Sequence, residues 1–254
     1  MKDILKEKAE IFEKEREEKL EDPMAAAIQS RRDILPEFSL DATKPDKIYN
    51  LFSIISREEW DLIDVDDMRK SIKKDKIFEK GKKFYTNYVI EEMNAIKDDR
   101  KSFKSDAVMS SKYKCLIYLN ILLKCLKLRF IRKDAQQFAE ELKVNPLIVK
   151  TILHRFFIMN EREGDKISYS RNSMLTDRLT CFIVVLALIY NDYEFEASSL
   201  LNEMKIEPKK FAKYTLQIGC STKKKKVEGE ERTFLKLEAP LDIKPMSLGK
   251  KKKQ

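Results

Sequence analysis

Two stretches of this chain are copies of one pattern. DAQQFAEELKVNP, residues 134–146, aligns with EASSLLNEMKIEP, residues 196–208, at a constant offset of 62. Ala135 matches Ala197, Glu141 matches Glu203, Lys143 matches Lys205 and Pro146 matches Pro208, while Leu142 and Val144 meet Met204 and Ile206. Self-similarity at a fixed spacing constrains the fold strongly, because each copy has to be one supersecondary unit that cannot bury its apolar face alone.

The surroundings say what the unit is. KYKCLIYLNILLKCLKLRF, with Leu116, Leu119, Leu123 and Leu126 on one stripe, predicts an apolar helix capped by Ser110 or Ser111. Asp134, followed by Gln137 in a capping-box pattern, opens a second helix. Asn145 caps a third, with Pro146 in its first position, running to Phe156. FFIMN and KISYS then alternate around Gly164 as a hairpin. In the second copy SMLTDRLTCFIVVLALIYNDY is the apolar helix and PKKFAKYTLQIG the third helix. KKKKVEGEERTFLKL is the hairpin, with Gly229 in the place of Gly164. Helix, helix, turn, helix and hairpin is the order of a winged helix.

The expected fold is therefore mainly α with short β-hairpins (α+β), a tandem winged-helix domain preceded by an extended, partly helical linker. Five glycines and seven prolines in 254 residues suit a helical chain. The expected divisions are a charged N-terminal helix or tether over 1–35 and a linker with apolar anchors over 36–107. Winged helices follow over 108–171 and 172–240, and a basic tail over 241–254. In the linker, IYNLFSII, EEWDLIDV and FYTNYVIEEMNAI are apolar bursts too short to build a core, which predicts a segment that orders by lying on something else.

Charge is placed unevenly. From residue 207 to the end, 14 Lys or Arg stand against 6 Asp or Glu, so this stretch holds 8 of the net +9. A local basic excess is the usual electrostatic footprint of nucleic acid. On the first unit's third helix, Ile148, Val149, Ile152, Leu153 and Phe156 face the core, and Lys150, Thr151 and His154 face away with Arg155 at the edge. On the second, Phe211, Ala212 and Leu216 are expected inside and Lys209, Lys210, Lys213 and Gln217 outside. Lys223, Lys224, Lys225 and Lys226 on the second wing extend that basic surface. A lone lysine is ordinarily a solvated charge, and only the clustering argues for phosphate contact. Lysine positions a backbone without reading bases, so duplex DNA bound without sequence preference is the expected partner. Glu228, Glu230 and Glu231 at the wing tip would repel phosphate.

Other function classes find no support. Cys115, Cys125, Cys181 and Cys220 form no CxxC pair and read as reduced, mostly buried thiols. A single histidine, His154, leaves little room for metal sites or His-based triads, so neither a cofactor, a metal nor an enzyme is expected. No stretch approaches a membrane span by this reading and no signal-peptide core opens the chain, which suggests a soluble intracellular protein.

ATKPDKIYNLFSIISREEWDLIDV, followed by SKYKCLIYLNILLKCLKLRFIRKD and RLTCFIVVLALIYNDYEFEASSLLNEMKIEPKK, resembles the forty-nine-kilodalton-class subunits of RNA polymerase I, over residues 36–254. The resemblance implies a non-catalytic subunit of the nucleus and nucleolus. Its linker would anchor on RNA polymerase I core subunits through Ile48, Tyr49, Ile54, Ile55, Trp60, Ile63 and Val65. Its tandem winged helix would bind double-stranded DNA near the cleft and support initiation and elongation of rRNA synthesis. That family also pairs with a smaller heterodimer partner through an N-terminal β-rich domain, where this sequence has only the charged residues 1–35. The tandem arrangement is similar to TFIIE as well, which implies the alternative of a protein-interaction scaffold that does not touch DNA.

Overall fold

A computed structural model describes residues 23–73, 84–98, 105–162, 166–227 and 229–242 of the chain. The helix expected before Pro23, the Gly164 turn and the basic tail after residue 242 lie outside the described residues. The linker side holds α1 (Pro23–Arg32), α2 (Leu51–Ile54), α3 (Arg57–Leu62), α4 (Asp66–Lys73) and α5 (Asn87–Asp98). The first unit is α6 (Asp106–Lys127), β1 (Phe130–Ile131), α7 (Ala135–Leu142), α8 (Pro146–Phe156), β2 (Ile158–Arg162) and β3 (Lys166–Ser170). The second is α9 (Ser173–Tyr190), β4 (Glu194–Glu196), α10 (Ser198–Met204), α11 (Pro208–Ile218), β5 (Cys220–Val227) and β6 (Glu230–Leu237).

The repeat is a repeat in space. α8 and α11 each have 11 residues and start and end 62 positions apart. Asp134 and Asn145 cap α7 and α8 as expected, accepting from Gln137 N at 2.8 Å and Leu147 N at 2.9 Å. Both short helices end on a lysine in the left-handed conformation, Lys143 at φ 56° and Lys205 at φ 53°. The copies differ where α10 starts. Ala197 offers no side-chain cap, and Ser198 instead accepts from Thr233 N at 3.0 Å, tying α10 to the wing.

Each sheet has three antiparallel strands, in the orders β1-β3-β2 and β4-β6-β5. The sequence showed two strands per unit. β1 and β4 are two and three residues long, too short to carry an alternation, and only their pairing with β3 and β6 defines them. The first unit's opening helix also begins earlier than expected. Ser105, not Ser110 or Ser111, caps it by accepting from Val108 N, so a charged first turn precedes the apolar run.

α6 and α9 pack against each other at the centre and are buried nearly all round. α9 is long and apolar enough to pass for a membrane span, contrary to the reading from sequence, but 61 % of it is buried inside the molecule. Such a helix is one of the two central core helices. Arg171, between the two units, donates to Cys125 O at 2.9 Å and Leu126 O at 2.8 Å, closing the carbonyl end of α6. All four cysteines are buried, and burial pushes the thiols of Cys115, Cys125 and Cys220 up to about 12.

The linker lies on this core. Ile48, Tyr49, Ile54, Ile55 and Ile63 are buried within the chain itself, with Ile54 and Ile55 at 0 % exposure, and Trp60 and Val65 pack against the same core. The expectation is a linker that orders by lying on something else; instead its apolar residues lie on the chain's own tandem unit and belong to its core. Tyr49 Oη donates to Ile218 O at 2.8 Å, fastening the linker to the second unit. Tyr118 Oη, on α6, donates to Glu59 at 3.0 Å, while Glu59 also closes a capping box with Ser56. Lys114 donates to Trp60 O at 2.6 Å. Asn120 accepts from Thr86 N at 2.9 Å and donates to Phe84 O at 3.0 Å.

Three outcomes follow from this packing. Ile54→Ala should destabilise the chain by about 2–5 kcal/mol in a urea titration, the cost of a cavity in a fully buried site. A linker that hung free would show almost no loss. Lys205→Gly should stabilise by about 0.5–1 kcal/mol, because glycine takes the left-handed helix end without the Cβ clash. The third concerns Glu92, whose carboxyl burial raises above its usual 4.5, against hydrogen bonds from Tyr88 and Tyr190 and the pull of Lys112. The folded state holds that proton more tightly than the unfolded one. This contribution to stability is therefore present below the usual value and lost as pH rises through the raised one. Glu92→Gln should unfold at higher urea than the parent at pH 7, and the two should converge below about pH 4.

Candidate nucleic-acid interface

The second unit's basic residues come from two adjoining elements. On α11, Phe211, Tyr214, Thr215 and Ile218 are buried. At 3.6 residues per turn this leaves Lys209, Ala212, Lys213 and Leu216 on the outward face. Lys209, Lys210 and Lys213 are exposed as expected. Ala212 and Leu216 are not inside, and Leu216 is 66 % exposed. The sequence reading assigned the wrong arc because Tyr214 and Thr215, each with a polar tip, fill the core positions instead. Tyr214 Oη reaches Asp177 at 2.5 Å, and Thr215 Oγ1 stands 3.4 Å from Thr222 Oγ1, where α11 meets β5.

The four lysines belong to the second wing. Lys223, Lys224, Lys225 and Lys226 all lie on β5 and are all exposed. A strand sends successive side chains to opposite faces. Lys224 and Lys226 therefore share the face of Thr222, Leu235 and Leu237, beyond the end of the core, and Lys223 and Lys225 share the other. Gly229, at φ 88°, makes the tight turn that sets the register. That register puts Arg232 opposite Lys225, Phe234 opposite Lys223, and Glu231 opposite Lys226. Lys225 lies 5.1 Å from the Phe234 ring centroid. Arg232 was not singled out in the sequence, although the Gly229 turn was enough to pair it with Lys225.

Not every cation is available. Lys224 is paired with Glu231 at 3.1 Å and Lys210 with Asp177 at 3.2 Å. Lys150, Lys209, Lys213, Lys223 and Lys226 make no ion pair with another described residue. On α8, Lys150 and His154 are exposed, and the five core positions expected there are all buried. Thr151 is half-buried and donates to Leu147 O at 3.0 Å. Arg155 turns inward. Its guanidinium donates to Ile54 O and lies 5.8 Å from the Phe182 ring centroid, bracing the linker against both units. The candidate interface thus gathers Lys209, Lys213 and the β5 lysines on the second unit, while Lys150 and His154 stand on the first. Among the described residues no group of His, Cys, Asp or Glu could hold a metal ion.

The profile of the A49-like RNA polymerase I associated factors matches residues 1–244. The DNA-directed RNA polymerase I subunit RPA49 of Saccharomyces cerevisiae is 25 % identical over 196 residues, which is 74 % of this chain and 44 % of that protein. The chain thus spans less than half the length of the relative it resembles. With a match that runs through the linker and both repeated units, the chain belongs to the family of A49-like RNA polymerase I associated factors.

Proposed function

We propose that the chain is a non-catalytic RNA polymerase I subunit of the nucleus and nucleolus, whose second winged unit holds double-stranded DNA without sequence preference beside the polymerase cleft. In this role it supports initiation and elongation of rRNA synthesis. The observation that carries the reading is the wing, where the exposed Lys223, Lys224, Lys225 and Lys226 fill one strand beside the exposed Lys209 and Lys213 of α11. Charges held this way attract phosphate oxygens, and a row of lysines reads no base edges. The linker's part is first internal, since its expected polymerase anchors are in the chain's own core. Its polymerase-facing side chains are then the exposed Phe52 and Leu62.

The first unit favours a second reading for its own half. Its outward side carries the exposed apolar residues Leu147, Ile158 and Phe130, the last at 64 % exposure. Apolar groups contribute nothing to phosphate contact, so this half suits a protein neighbour in the polymerase.

Fluorescence anisotropy of the full chain on unrelated DNA duplexes across a salt series tests the proposal. Binding should show similar affinity for each sequence, and log K should fall with log salt by about 0.9 per phosphate neutralised. Changing Lys223, Lys225 and Lys226 together to alanine should make the slope shallower by up to about 2.7. Absence of binding at low salt, or an unchanged slope, would overturn the reading in favour of a scaffold.

A further inference from the structure

A recess of about 620 Å³ opens where the linker and the two units meet, lined by Arg32 from the end of α1, Arg155 from α8 and Arg178 from α9. Among the described residues that line it, the only carboxylate is that of the exposed Glu37. Arg155 and Arg178 share one aromatic surface, at 5.8 and 5.7 Å from the centroid of the buried Phe182 ring. Two guanidinium groups on one ring repel each other. Arg155 spends one N–H on Ile54 O. Arg178 Nε is buried and has no hydrogen-bond acceptor among the described residues. Burial and the neighbouring Arg155 both lower the Arg178 guanidinium from its ordinary range, and Asp33 offsets this in part. Buried charge is ordinarily paired, and here the described residues supply little to pair it with.

We propose that this recess is an oxyanion site that takes one backbone phosphate of a nucleic acid. The assignment rests on the reading that the chain binds DNA. Guanidinium forks match phosphate geometry, and forks arriving from three separate elements suit a group with several acceptor oxygens better than a carboxylate with two. Within α8, Arg155, which lines the recess, directly follows the exposed His154. The recess would therefore place a phosphate contact between the two units, apart from the lysines of the second wing. A phosphate there would bridge the linker, α8 and α9, and so would hold the linker on the core as well.

The test has two arms, both on the full chain. In the first, thermal unfolding is followed as chloride is replaced by inorganic phosphate at constant ionic strength. The Tm of the parent should rise with phosphate concentration, as a site that exists only in the folded state requires. Arg32→Gln and Arg178→Gln should lose that rise, and Arg178→Lys should keep part of it. Arg32 is exposed, so its variant folds even if the Arg178 variant does not. In the second arm, Arg32→Gln should reduce the salt slope on duplex DNA by about 0.9 while the wing lysines stay in place. Equal Tm values in phosphate and chloride, with an unchanged slope, would overturn the site while leaving the DNA reading intact. A phosphate-specific rise in a parent that binds no duplex would overturn both the DNA reading and the assignment of the phosphate to a nucleic acid.

Discussion

Helices α6 and α9 are apolar around most of their circumference, and such helices have to be covered on every side. Each covers one side of the other. The short helices and hairpins of the two units cover more, and the linker completes the cover through Ile48, Tyr49, Ile54, Ile55 and Ile63. This single requirement explains why a segment that reads as a tether folds onto its own chain. It also explains the polar contacts along the seam. Glu59 is 1 % exposed, and a carboxylate so buried needs its bonds from Tyr118 and the Ser56 backbone. Glu203, likewise buried, accepts from Tyr88 N at 3.2 Å and pairs with Lys127.

Once the core is covered this way, the charges sort by what remains outside. Arg155 and Arg171 reach inward and satisfy backbone carbonyls at the seams, so they act on the architecture. Lys209, Lys213 and the β5 lysines stay exposed on the surface. The two units, alike in backbone, consequently differ in what they present. The first shows apolar side chains and a few charges, and the second shows a basic helix beside a basic strand. The proposed division, a protein neighbour for one unit and a nucleic acid for the other, rests on this difference.

Much of the fold was legible because its signals are local. The repeat, the caps at Asp134 and Asn145, the proline starts of α8 and α11 and the second wing around Gly229 each need only a few neighbouring residues to be recognised. Ala212 and Leu216 were misread for a related reason. Their apolar character suggests the core, but the arc that α11 buries is fixed by where β5 and α9 lie, and Tyr214 and Thr215 meet those elements. The strands β1 and β4 were invisible for want of length. In the candidate interface, the lysines were legible as a cluster. Their division between two strand faces and the pairing of Lys224 with Glu231 required the register of the hairpin.

By itself, then, the sequence determined two winged-helix-like units, a basic second wing and an apolar linker, because periodicity, capping and turn chemistry act over a few residues. Only the tertiary structure decided that the linker's apolar residues belong to the chain's own core, that Arg155 turns inward, and that Arg32, Arg155 and Arg178 converge on one recess. Those outcomes join residues more than a hundred positions apart. They depend on which surfaces α6 and α9 leave uncovered, and no local pattern encodes that.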